Sequence, residues 1–559
     1  MPKRSAVAVA VLFLSIPTFA LAQAPVAKAA ATQGLATRLD AILAPQFKPG
    51  DPGATVIVVK DGRTVLRKAY GTADLASKTP LTPGTVLRLG SITKQFTAVA
   101  ILMLADEGKL ALNDPVTRFF PDYPTGGKVI TVEHLLTHTS GIVSYTGKPD
   151  YVAGMGRDRT VAQMIDGFKD DPLEFEPGTR FKYNNSGYFL LGAIIEQVSG
   201  MPYARFLETR IFAPLGMTDT AYEGFERSRA PRALGYSLRD KTYGPSEHLS
   251  MTQPYAAGSL VSTVDDLAKW DAAVSAGKLL SPASWKMAFT PYKLTPDTST
   301  DYGYGWHVGT LQGTPVVDHG GGINGFRTYA LRLPEQKIYV AVLANSDSGG
   351  ARPEVLAKKL VATAMGKPFS EHKAIVLDAK ALDAFTGTYE TDSTDKRVFA
   401  TRDGVLTMRR GDGPSAPLKA YAKNAFFIPE SLVTFAFERD AAGRVTHVVS
   451  EQEGRQVRSA RIGDVPPERA AVRIDPAAFD ARVGTYQLAP TFALTLSREG
   501  ERYYAQGSGQ PKLEIFPASE DVFFARAVAA EIRFDGAEGG EPVLALHQNG
   551  QVVRAMRTK

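Results

Sequence analysis

Strand-forming sequence sits at the two ends of the first 366 residues and is almost absent between them. Near the start, Thr55-Val56-Ile57-Val58-Val59 and Thr64-Val65-Leu66-Arg67 flank Asp61-Gly62, a pair that tolerates the left-handed backbone of a tight hairpin. Near the end, Thr328-Tyr329-Ala330-Leu331 and Ile338 to Leu343 flank Pro334-Glu335 in the same way. Nearly everything from Gly90 to Trp285 reads as helix or loop, and Pro353 to Met365 reads as a closing helix. Strands distant in sequence with helices between them predict an α+β unit over residues 35–366, one antiparallel sheet sandwiched by helices.

After Gly366 the texture changes to short alternating strands, and a weak repeat with a period of about 97 residues emerges. Leu382 to Tyr389 aligns with Phe479 to Tyr486, and Gly454 to Arg461 with Gly550 to Arg557, both of the latter ending Val-Arg-x-x-Arg. Each copy is read as one small antiparallel β-barrel. The expected division is a linker at 367–380, a first barrel at 381–463, a Pro-rich linker at 464–475 and a second barrel at 476–559.

Composition narrows the chemistry. Residues 1–22 read as a signal peptide: Lys3-Arg4, an apolar run from Ala6, and Ala20-Leu21-Ala22 as the cleavage site. Residues 23–34, rich in Ala and Gln and without apolar periodicity, read as a flexible leader. The predicted location is periplasmic or secreted. There is no cysteine, which leaves serine and carboxylate chemistry and excludes disulfides and thiolate metal sites. A net charge of +6 on 559 residues is too weak to suggest nucleic acid as a partner. Beyond the signal no run is long enough to span a membrane. The expected partner is a small-molecule or peptide substrate, with no cofactor and no metal, and a homodimer is left open.

Ser91-Ile92-Thr93-Lys94 opens the apolar stretch Gln95 to Ala105, the pattern of a buried helix. A serine in a first helical turn has an outward N–H and a favourable dipole for an oxyanion, and Lys94 shares its face. A buried amine can activate the hydroxyl. Three other Ser-x-x-Lys matches, at Ser275, Ser370 and Ser393, lack that context. Tyr183-Asn184-Asn185 supplies a phenol, made more acidic by a neighbouring cation, and an amide. His319-Gly320-Gly321-Gly322 follows a strand, where glycines allow close backbone approach to a substrate. His307-Val308-Gly309 is a second His-x-Gly match, less favoured for want of a glycine run; His134 and His138 are four apart but without a third metal ligand.

The ordered set Ser-x-x-Lys, Tyr-x-Asn, His-x-Gly resembles the penicillin-recognising serine hydrolases, which include class C β-lactamases, DD-peptidases and D-aminopeptidases. Leu112 to Val116, His134 to Gly141 and Ala257 to Thr263 extend the resemblance over residues 35–366. With two barrels attached, the architecture is most similar to D-aminopeptidase, which implies a β-lactamase-like domain followed by two lipocalin-like barrels. The resemblance implies that Ser91 is acylated, that Lys94 and Tyr183 share the role of base, and that Asn185 holds the substrate amide and Lys94. His319 would steer the substrate on the strand of Gly321, and the N–H groups of Ser91 and Gly322 would form the oxyanion hole. It also implies that a loop of the second barrel reaches the cleft, for which Asp535, Glu538 and Glu541 are the candidates. Histidine where β-lactamases usually carry lysine ranks amide or peptide hydrolysis first, a carboxylesterase second and a β-lactamase third. A non-hydrolytic protein binding a ligand or peptidoglycan fragment is the alternative of another class.

Overall fold

The computed structural model describes residues 23–558 apart from 149–150, 225–230, 296–297, 351, 392–394, 412, 467–468, 490–491, 508–511, 527, 529, 539–540 and 549–550. The expected signal peptide lies outside the described residues. Its neighbour, read as a flexible leader, is helical: α1 spans Gln23–Leu43. Its Ala-rich first half has high helix propensity without needing an apolar stripe, and Leu35, Leu39 and Leu43 anchor the second half in the core.

Asp61 and Gly62 take φ of 51° and 71°, the left-handed pair of a tight hairpin turn joining β1 (Ala54–Lys60) to β2 (Arg63–Tyr70). The late strands are β3 (His307–Leu311), β4 (Thr314–Ile323), β5 (Phe326–Leu333) and β6 (Ile338–Ala344). They make one antiparallel sheet in the order β3-β4-β5-β6-β1-β2, with β1 and β6 paired from Ala54↔Ala344 to Lys60↔Ile338. Alternation decides which face meets which core. Val56, Val58, Val340 and Val342 pack with α1 and α2 (Pro353–Met365), whereas Ile57, Ala341 and Leu343 pack with the helical body between the two strand groups. The result is a sheet between two helical layers. A few short strands, such as Leu260–Ser262, also occur in that body.

Two helices of the body position the chemistry. Thr93–Asp106, entered through a 3-10 turn at Gly90–Ile92, has its first twelve residues buried. Asn185–Ser199 packs beside it, with the Asn184 side chain capping its start through the Gly187 N–H.

The repeat copies form two barrel-shaped sheets. Nine strands lie between Gly387 and Gly463. Eight lie between Gly484 and Met556, the last meeting the first through a Tyr486↔Arg557 bridge and a Thr558 N–H donated to the Thr485 carbonyl. Phe385, Phe399, Phe426, Phe435 and Phe437 fill the first barrel.

Candidate active site

Ser91 sits on the 3-10 turn at the mouth of a cleft of about 1010 Å³ whose lining includes Tyr183, His307, His319 and Gly320 to Gly322. Beneath it Lys94 is fully buried, and its ammonium donates to Ser91 Oγ at 3.1 Å, Asn185 Oδ1 at 2.8 Å and the Ala257 carbonyl at 2.8 Å. Three acceptors match three N–H bonds. Burial nonetheless holds the amine well below the usual lysine range, because water cannot stabilise its charge there.

Asn185 is committed on both sides: its oxygen accepts from Lys94, and its Nδ2 donates to Thr146 Oγ1 at 3.0 Å. It orients Lys94, and one of its two Nδ2 N–H bonds is taken by Thr146. Tyr183 departs from expectation. Lys94 Nζ lies over the phenol ring, 4.8 Å from its centroid, rather than at its oxygen. Burial pushes the Tyr183 hydroxyl up, offset only in part by nearby Ser91, with which it makes no well-formed hydrogen bond. The phenol is therefore held protonated.

The glycine strand comes within contact of the nucleophile's turn. A Cβ on Gly321 would lie 2.0 Å from the Leu89 carbonyl and one on Gly90 only 3.1 Å from the Gly322 N, so neither position admits a side chain without a shift. Thr328 Oγ1 ties the sheet to that turn by donating to the Leu89 carbonyl at 2.7 Å. The amides of Ser91 and Gly322 are thereby neighbours.

His319 is only 2 % exposed. Its Nδ1 lies 2.6 Å from the Gly320 carbonyl, which can only accept, so Nδ1 carries the proton and Nε2 accepts from Tyr302 OH at 2.9 Å. Both nitrogens are engaged within the protein, so His319 lines the cleft with its ring held by Tyr302 and the Gly320 carbonyl. The less favoured His307 is the imidazole open to the cleft, its ring 5.3 Å from that of His319. The cleft walls crowd it enough to lower its pKa.

Below lies His138, whose ring is tilted 38° against that of Tyr183 with centroids 4.2 Å apart and whose Nδ1 accepts the Asn184 N–H at 3.0 Å. Its Nε2 has no partner, and its φ of 60° is unusual for a residue with a side chain. His134 serves local structure instead, completing the cap of the Val132–Leu136 helix by accepting the Thr131 N–H. Among the described residues no three His, Asp or Glu side chains converge as metal ligands. Tyr302, Thr146 and the Ala257 carbonyl escaped the sequence reading; the last lies in the Ala257 to Thr263 motif, which marked the segment but not the atom.

None of the described residues lining the cleft comes from the second barrel; the first barrel contributes Glu453. Glu453 pairs with Lys358 at 2.7 Å, and its carbonyl accepts the Gln312 N–H at 2.7 Å. Asp535 instead pairs with Arg554 on its own barrel, and the side chains of Glu538 and Glu541 lie outside the described residues.

An antiparallel sheet, a helix-borne serine and a buried lysine beneath it define a serine hydrolase. The chain belongs to the beta-lactamase family, whose profile matches residues 36–365. It is 26 % identical to penicillin-binding protein 4* of Bacillus subtilis (strain 168), over 90 % of this chain and 95 % of that one. An octameric penicillin-binding protein homologue from Pyrococcus abyssi superposes with a TM-score of 0.56 at 27 % identity, covering 84 % of this chain and 97 % of that one. A D-amino acid amidase from Ochrobactrum anthropi superposes with a TM-score of 0.51 at 26 % identity, over 60 % of this chain and 99 % of that one. Among the described residues no helix is long and apolar enough to cross a membrane.

Proposed function

We propose that this chain is an exported hydrolase that cleaves an amide or peptide bond through an acyl-enzyme on Ser91. The observation that carries the reading is the Lys94 amine, 3.1 Å from Ser91 Oγ and kept below its usual pKa by burial. In its neutral form Lys94 takes the Ser91 proton as Oγ attacks the carbonyl carbon. The oxyanion is met by the N–H groups of Ser91 and Gly322. As the tetrahedral adduct collapses, the protonated Tyr183 gives its proton to the departing amine, and the proton taken up by Lys94 reaches the phenolate through a water in the cleft. Water then attacks the acyl carbon with the same base, freeing the acid and Ser91.

Charge supports a substrate with a free amine. The cleft lining carries five carboxylates, Asp301, Asp318, Asp347, Glu354 and Glu453, against the three cations Arg327, Arg352 and Lys358. Its volume suits a short peptide better than a small ester. The likeness to a D-amino acid amidase supports the same substrate class, and the signal-like residues 1–22 support export. The test is acylation by a fluorophosphonate and a fluorescent penicillin read by intact mass, beside a screen of D- and L-aminoacyl amides, acyl esters and a chromogenic cephalosporin. A Ser91 adduct and preference for aminoacyl amides are expected. An unlabelled Ser91, or full turnover in Ser91→Ala, overturns the reading.

A further inference from the structure

The two barrels are copies with different interiors. The sequence repeat anchors Tyr389 to Tyr486 and Phe435 to Ile532, and strand register carries the equivalence to the neighbouring strands. In the first barrel Tyr389 pairs with Arg397, and Arg397 with Arg410; in the second Tyr486 pairs with Leu494, and Leu494 with Gly507. Likewise Phe435 pairs with Ser450, and Ile532 with Leu546. In the first barrel Arg397, Ser450 and Asp395 form a polar plug, Arg397 bonding Ser450 Oγ and Asp395, and the exposed Arg410 caps it from outside through Asp395 at 2.7 Å. In the second barrel the equivalents Leu494, Gly507 and Leu546 carry no polar group. Two further positions shrink as well, Met408 to Ala505 and Val433 to Ala530, matched by the same pairings.

The consequence is a cavity of about 260 Å³ inside the second barrel, lined by all five of these residues. Among its described lining residues Gln548 carries the one polar side chain and none is charged. Gln548 is exposed, and Val528 is 37 % exposed, so together they mark the mouth. An apolar space of this kind is poorly hydrated and gains free energy by taking an apolar ligand. An engineered cavity of about 150 Å³ takes the six carbons of benzene, which scales to roughly ten carbons here. The narrow bore of an eight-stranded barrel favours one extended chain.

We propose that the second barrel binds a single aliphatic acyl chain of about ten carbons, with its polar head at the Gln548 mouth. The chain could come from a soluble fatty acid or from a membrane lipid, and the test separates these. Fatty acids from hexanoate to tetradecanoate are titrated calorimetrically into the full-length protein with Ser91 blocked by a fluorophosphonate; if Ser91 does not react, Ser91→Ala protein is used, so this test does not depend on the catalytic reading. Affinity is expected to rise roughly fourfold per methylene up to about decanoate and then level off. The variant Ala505→Met with Ala530→Val, which installs the first barrel's own residues, is expected to lose at least tenfold in decanoate affinity. Co-sedimentation with phosphatidylglycerol vesicles identifies a lipid source, and binding of decanoate alone a soluble one. No saturable binding of either, a rise that never levels, or full affinity in the folded filled variant overturns the proposal. Should that variant not fold, the chain-length profile decides.

Discussion

Lys94 is under two opposed influences: three acceptors favour the ammonium, and complete burial favours the amine. A base near neutral pH needs that balance. Tyr183 is held protonated, which suits an acid serving the leaving group. The two roles separate experimentally. Lys94→Met is expected to lose about 10³-fold or more in kcat/KM on both amides and activated esters. Tyr183→Phe is expected to lose comparably on amides but under tenfold on a p-nitrophenyl ester, whose phenolate leaves without help. Equal losses on both substrates in Tyr183→Phe would sink this division of labour. Residue identity made Ser91, Lys94 and Tyr183 legible in the sequence. What sequence could not show is that Lys94 lies over the phenol ring rather than at its oxygen, since both placements satisfy the same spacing. The buried imidazoles give a second residue-scale prediction. Burial pushes His138 and His319 well below their ordinary value near 6.5. Below that pH the unfolded chain takes up protons that the folded protein refuses, so stability is complete above about pH 6.5 and falls as pH drops, by up to about 1.4 kcal/mol per pH unit per group. Urea midpoints across pH should show the slope. It should shallow in His138→Gln, and an unchanged slope would assign the acid sensitivity elsewhere.

At the scale of elements, β4 matters because its glycines let a strand touch the turn carrying the nucleophile. A methyl on Gly321 meets the Leu89 carbonyl and Thr328 Oγ1 at 2.0 and 2.3 Å, both parts of the scaffold rather than mobile tips. Gly321→Ala should therefore displace β4 from Ser91 and lower kcat by about 10²-fold while the circular dichroism spectrum stays native. Activity within twofold of wild type would show that the contact is looser than the geometry states. The hairpin at Asp61-Gly62 and the helix from Pro353 to Met365 were legible because each carries its own local signals, a turn pair and an apolar stripe ended by Gly366. The His319–Tyr302 bond was not, because it depends on β3 and β4 bringing together residues that no motif links. The helical leader was missed for a different reason: alanine favours helix without creating periodicity.

At the scale of the whole molecule, the repeat made both barrels legible, but not that the first meets the catalytic unit at Glu453. Docking depends on the turn between the last two strands of the first barrel. Gly454 lies so close to Gln312 that a Cβ would stand 2.6 Å from its Cα, and Glu453 lies against Lys358 within the cleft lining. Lys358 is held by Glu453 and Glu354 together, each at 2.7 Å, and is itself largely buried, so reversing one partner's charge leaves two cations facing each other where water screens poorly. Glu453→Lys also removes a carboxylate from the wall proposed to favour a substrate's free amine. It is expected to raise KM for free D-aminoacyl amides about tenfold and to leave N-acylated analogues within twofold. Neutralising Asp535, Glu538 and Glu541 together should change neither. Both substrate series are measured at high ionic strength as well, where the Glu453→Lys effect should shrink because part of it is carried through solvent. Should the triple variant raise KM for free amines while Glu453→Lys does not, the second barrel would be the one that selects substrate, and the contact at Glu453 would serve only to hold the first barrel in place.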